Sequence, residues 1–138
     1  MATTAFDLVT PTATLYSGQA EMIVCKTVDG EIAFLADHEP YIGALDPCLV
    51  RVVGPEGSSS DGEFRVAVHG GFVEVKNNQV IMLADIAALP GDVDVAGAER
   101  DQASASAQVD AAPSGEPDKA AEIEVKWAQA RLEAARAG

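Results

Sequence analysis

Between Phe6 and Ala88, apolar residues recur at every second position in short runs, and turn-forming residues close each run after about ten positions. This rhythm constrains the fold more than any other feature of the chain. The stretch HGGFVEVKNNQVIMLAD, from His69 to Asp85, shows it well. Val73 and Val75 lie on one face, with Phe72, Glu74 and Lys76 on the other. Asn77-Asn78 supplies a two-residue turn, because Asn tolerates positive φ better than most residues, and Gln79 to Ala84 returns as a second strand. The pair Gly70-Gly71 raises the alternative of a phosphate-cradling loop. Such loops lie between a strand and a helix whose N-terminus faces the anion. No helical period follows Gly71, so the pair reads as part of a β-scaffold.

The same reading extends upstream. FDLVT and ATLYS precede AEMIVCKTV, in which Met22 and Val24 alternate with Ile23 and Cys25. Asp29-Gly30 is a hairpin signal leading into EIAFLA. YIGAL, CLVRVV and EFRVAV follow; in the last, Phe64, Val66 and Val68 oppose Glu63, Arg65 and Ala67. GPEGSSSDG, between Val53 and Glu63, is all turn formers and polar residues and predicts a mobile surface loop. Many short strands without intervening helices indicate a β-sandwich or barrel.

Pro90-Gly91 marks a change of character, to alanine-rich sequence whose one aromatic residue is Trp127. A first helix is predicted from about Asp92 to Asp110, capped by Asp92 or Asp94. Gly97 weakens it by about 1 kcal/mol relative to Ala. AAPSGEP then breaks the chain, and Pro117 suits the first turn of a second helix. There Ala120, Ile123, Trp127, Ala130 and Ala134 form one stripe, and Glu122 and Lys126 an i,i+4 pair. Alanine faces bury little area, so this hairpin should dock weakly and be easy to displace.

The net charge of −13, with only nine scattered basic residues, argues against nucleic acid. It also discourages direct contact with anionic lipid. No run approaches a membrane span, and MATTAFDLV lacks the basic-then-apolar order of a signal peptide, which points to a cytosolic or cytosol-facing protein. Cys25 and Cys48 sit in apolar strand-like runs and read as small buried hydrophobes. Only His38 and His69 could join them at a metal, too few for a structural site. His38, flanked by Asp37 and Glu39, is the best candidate for acid–base chemistry. Side chains adjacent in an extended segment rarely face one another, so it reads instead as a turn or interface residue before Pro40. The residues describe a binding or coupling module with no catalytic constellation and no cofactor.

The motifs then carry a resemblance. FDLVTPTATLYSGQAEMIVCKTVDGEIAFLADHEPYIGALDPCLVRV resembles the opening of the epsilon subunit of F-type ATP synthases. Leu15-Tyr16-Ser17-Gly18, then Gly30-Glu31-Ile32, Leu35, His38 and Pro40, then Leu45 and Pro47 follow the family pattern. GGFVEVKNNQVIMLAD matches its later hairpin, so the likeness spans about residues 5–87. It implies a ten-stranded β-sandwich over residues 1–90, bound to gamma and the c-ring, and a two-helix regulatory tail over 91–138. Glu31 and His38 are implied interface residues, and the tail is implied to reach the beta subunit. The implied setting is the cytoplasmic face of the bacterial inner membrane, with membrane contact only through the complex.

Three departures stand out. Cys48 replaces a usual Gly, and His69 replaces a small or acidic residue before Gly70. In the family's ATP-binding pattern, hydrophobe-Asp-x-x-Arg-Ala, Val93, Asp94 and Ala98 remain, but Gly97 stands at the arginine position. With ten acidic and five basic residues in the tail, nucleotide binding through Asp94 is expected to be weak or undetectable. The alternative reading is a free-standing β-sandwich module for a peptide or small ligand.

Overall fold

The computed structural model describes residues 2–54 and 62–137. Ten strands occur among them: β1 (Thr4–Val9), β2 (Thr14–Ala20), β3 (Met22–Thr27), β4 (Gly30–Leu35), β5 (Tyr41–Leu45), β6 (Cys48–Val53), β7 (Glu63–Val68), β8 (Gly71–Lys76), β9 (Gln79–Ala84) and β10 (Ala87–Ala88). They form two layers, β10-β7-β6-β3-β4 and β5-β8-β9-β1-β2. β3 joins them, pairing with β4 along its length, with β6 at Met22–Val24 and with β5 at Thr27. β1 and β9 run parallel, and the other pairs are antiparallel.

Period-two alternation turns one face of each layer inward. Phe6, Leu8, Ile23, Phe34, Val66 and Met82 are fully buried between the layers. Each such side chain stabilises the fold by about 1.5–3 kcal/mol. Asn77 (φ 53) and Asn78 (φ 56) are both left-handed, as a type I′ hairpin turn requires. The earlier hairpin is shifted by one residue from Asp29-Gly30. Its loop is Val28-Asp29, and Gly30 is already in β4, opposite Thr27. Thr27 holds that turn, since its Oγ1 accepts from Asp29 N at 3.1 Å and donates to Gly30 O at 3.2 Å. Gly71 has φ 128, and a Cβ there would lie 1.8 Å from the Leu83 carbonyl oxygen. The glycine lets β8 pair tightly with β9, which is a β-sheet role. Residues 55–61 of the expected mobile loop lie outside the described residues.

A 3-10 turn, Pro90–Asp92, leads into α1 (Val95–Ala111). Asp94 is its cap, with Oδ1 accepting from Gly97 N at 3.1 Å. Asp92 belongs to the preceding turn. α2 (Lys119–Ala137) begins two residues beyond Pro117: Asp118 Oδ1 accepts from Ala121 N at 3.0 Å, so Pro117 precedes the cap.

The stripe of α2 is partly corrected. Trp127, Ala130 and Ala134 pack on Ala67, with Leu49, Ala88 and Val93 around them. Ala120 and Ile123 are exposed, whereas Ala121, Ala128 and Leu132 are buried. The reason is that α2 meets two neighbours, the sandwich and α1, so its buried arc is wider and rotated from a single stripe. α1 buries Ala98 and Ala105 in return. Gln102 Nε2 donates to Gln129 Oε1 at 2.8 Å, and Arg131 pairs with Asp101 at 3.0 Å across the hairpin. Lys126 reaches Asp46 at 3.0 Å, tying α2 to the β5–β6 turn rather than to Glu122.

Candidate subunit interface

β4 separates the two implied interface residues. Glu31 is the second residue of that strand, opposite Lys26, and is exposed; it does not project from a turn. At about 3.3 Å per residue, the strand from Glu31 to Leu35 is on the order of 13 Å long, and His38 lies beyond it. His38 Nδ1 is 2.7 Å from the backbone oxygen of Glu39, and its ring meets Phe34 edge-on at 5.0 Å. Its contacts among the described residues are thus a backbone oxygen and an aromatic ring. Asp37 N donates to Asn78 Oδ1 at 2.8 Å, so the His38 end rests on the Asn77-Asn78 hairpin. The Glu31 end faces the opposite way, toward Asp46 and the tail. A partner touching both must run along β4.

The two layers differ on their outer faces. α2 covers β6 and β7, burying Ala67 completely although Glu63 and Arg65 share its face. On the other layer, Ala44 pairs with Phe72, Phe72 with Leu83, and Leu83 with Val9. An apolar row results, in which Phe72 is 58% and Leu83 53% exposed; Ile42, 71% exposed, lies beside it and pairs with Glu74. Exposed apolar residues grouped this way on a small domain mark a docking surface.

A cleft of about 430 Å³ separates β3 and β6 from α2. Lys26, Arg51 and Lys126 line it, but so do Glu31, Asp46 and Glu133. Asp94 lies outside this lining, its carboxylate engaged as the α1 cap. A Cβ on Gly97 would come within 2.5 Å of that carboxylate, so a larger residue here requires the Asp94 side chain to shift. Beside the cleft, Cys25 and Cys48 are buried and free. Burial pushes the Cys25 thiol up to about 12, with the charges of Cys48 and Glu31 adding. Burial likewise pushes Cys48 up to about 11, against the Lys26 backbone hydrogen bond. Thiols held this high are inert at neutral pH. Cys48 suits its place because Sγ accepts from Lys26 N at 3.3 Å.

Sequence reasoning passed over His69 as a mere departure. In the structure its Nδ1 is 3.0 Å from Asp85 Oδ2 and its Nε2 is 3.3 Å from Glu124 Oε1. Its ring meets Trp127 edge-on at 5.5 Å. Burial opposes the charged form, but the hydrogen bonds and charges of Asp85 and Glu124 outweigh it and raise the pKa above the ordinary 6.5. Burial would raise the Asp85 pKa, yet the hydrogen bond from His69 holds it low. Only a helix 55 residues downstream completes this cluster, so no local signal could reveal it.

Fold and surfaces together define a two-layer sandwich carrying a docked helical hairpin. The model of the ATP synthase delta/epsilon chain β-sandwich domain matches residues 3–90. The ATP synthase epsilon chain of Brevibacillus brevis is 42% identical over 89 residues, 64% of each chain. That of Halalkalibacterium halodurans is 38% identical over 136 residues, 98% of each chain. A chain of the Euglena gracilis mitochondrial ATP synthase, solved by cryo-EM with its c-ring, shares the fold with a TM-score of 0.70 at 21% identity. That likeness covers 99% of this chain and 81% of the other. The chain therefore belongs to the delta/epsilon family of ATP synthase subunits, which replaces the alternative of a free-standing binding module. No described helix is long and apolar enough to cross a membrane.

Proposed function

We propose that this chain is a central-stalk subunit of a proton-translocating F-type ATP synthase, turning with gamma and the c-ring and coupling their rotation to the catalytic head. The observation that carries this reading is the exposed apolar row of Phe72 and Leu83, with Ile42 beside it, in a chain of this family. A rotating joint needs a surface that stays buried against its shaft, and gamma is the partner assigned to it. Glu31 and His38, at opposite ends of β4, are assigned to neighbouring stalk subunits. The complex holds the chain at the cytoplasmic face of the bacterial inner membrane.

The tail, residues 91–138, is assigned a regulatory role: it leaves the sandwich, rises along gamma and restrains hydrolysis by touching the beta subunit. Its ten acidic and five basic residues make that restraint weak against an acidic partner surface. Nucleotide binding is assigned no strength. The cleft offers as many carboxylates as cations, and Asp94 is occupied as a cap. Calorimetry with ATP on the isolated chain should show no micromolar affinity.

Co-purification with gamma tests the assignment. The full chain should carry gamma with it, and Phe72→Asp, at an exposed position, should abolish the association without unfolding the chain. In assembled enzyme, Glu31→Cys and His38→Cys should cross-link to stalk neighbours. Retention of gamma by the Phe72 variant, or absence of any cross-link from reactive thiols, overturns it.

A further inference from the structure

Among the described residues, Lys126–Asp46 and His69–Glu124 tie α2 to the sandwich, and they differ in kind. Lys126–Asp46, at 3.0 Å, pairs an ammonium with a carboxylate. His69 stands between Asp85, at the β9–β10 turn, and Glu124 on α2, and its charge changes near neutrality. We infer that His69 is a proton-operated clasp: protonated, it bridges Asp85 to Glu124 and holds the tail down; neutral, it lets α2 go. This rests on the reading above that the tail leaves the sandwich.

The argument is one of donors. A neutral imidazole has one N–H and one lone pair; the imidazolium has two N–H groups. In the docked state both ring nitrogens face carboxylate oxygens, at 3.0 and 3.3 Å. Only the cation donates to both. A neutral ring must turn its lone pair toward one of them, which repels. Once α2 leaves, Asp85 alone remains, and a neutral ring with its proton on Nδ1 satisfies it. The proton is therefore bound more tightly in the docked state than in the released one.

Other groups around the ring do not reverse this. Asp85 and Glu124 are the charges that bear on it. Trp127 supplies its ring edge, and Arg131 lies over that ring at 5.1 Å while paired with Asp101. The nearby 3-10 turn carries only Asp92, which is exposed. Covering the ring with α2 disfavours charge, and the hydrogen bond and charge of Glu124, which arrive with α2, work against that cost. For a group whose pKa is raised on docking, the added stability is complete below its released value. It fades as pH rises through the docked value, which lies above the ordinary 6.5, so the tail loosens as pH rises. Each unit of difference between the two pKa values changes the docking equilibrium about tenfold.

Hydrogen exchange on the full chain tests the clasp. Protection of the α2 amides, corrected for intrinsic rates, is compared at about pH 6 and about pH 8, on either side of the histidine range. The expected result is a several-fold loss of α2 protection at the higher pH, with β3 unchanged. His69→Gln, and separately Glu124→Gln, should flatten that dependence while leaving the sandwich folded. Equal α2 protection at both pH values, or an unaltered pH dependence in His69→Gln, overturns the clasp. If α2 exchanges only together with the core strands at every pH, the tail does not leave by itself. That outcome overturns the mobile-tail reading, and the clasp with it.

Discussion

The sandwich and the seam beneath α2 are built from different materials. Between the layers, Phe6, Phe34, Leu8 and Ile23 are sealed from solvent; beneath α2, Ala67, Ala130 and Ala134 gather around a single tryptophan. Burial stabilises in proportion to apolar area, so an alanine contributes a small fraction of what a Phe or Leu contributes. The helices add polar ties at their margins, Lys126–Asp46 and His69–Glu124, each on partly exposed groups. Ties of that sort contribute little and respond to solution conditions. One region is thus built to persist and the other to be adjustable.

Four substitutions or cuts would break or sharpen that contrast, ranked by their expected effect on the sandwich. Phe34→Ala empties a fully buried position that also supports His38 and Tyr41. It should cost about 3–5 kcal/mol, read from denaturant midpoints. Gly71→Ala follows, because its φ of 128 and the Leu83 oxygen leave no room for a methyl group. A loss of about 1–3 kcal/mol is expected, again by denaturant titration. Trp127→Ala should strip protection from α2 in hydrogen exchange while β3 and β8 keep theirs. Equal loss in both regions would mean that the seam supports the sandwich after all. Removing everything after Gly91 should likewise leave the sandwich standing. The truncated body is expected to fold, retain gamma and sustain ATP synthesis, with hydrolysis rising modestly. Unfolding, or a large release of hydrolysis, would refute the contrast.

Much of this was legible because strands and turns are local. The alternation in FVEVK required one buried face, and Val73 and Val75 are the residues buried. Asn77-Asn78 could hardly be anything but a tight turn. Cys25 and Cys48 read as buried apolar residues and are so. The helical hairpin was legible in outline, because Trp127, Ala130 and Ala134 share one helical face. The partners implied for Glu31 and His38 came from family likeness, and the structure adds that the two residues sit at opposite ends of β4.

Amino-acid order alone thus determined the strand rhythm, the Asn hairpin and the break at Pro90-Gly91, since each depends on residues within a few positions of one another. Only the tertiary structure decided which surfaces meet. Ala67 reads as a solvated position beside Glu63 and Arg65 until α2 lies on it. Ile123 reads as a core residue until α2 is rotated by its two contacts and leaves it exposed. His69 reads as a minor departure until Glu124 arrives from 55 residues away. Alternation states that a face exists; what covers it depends on distant backbone packing, which no short window of sequence encodes.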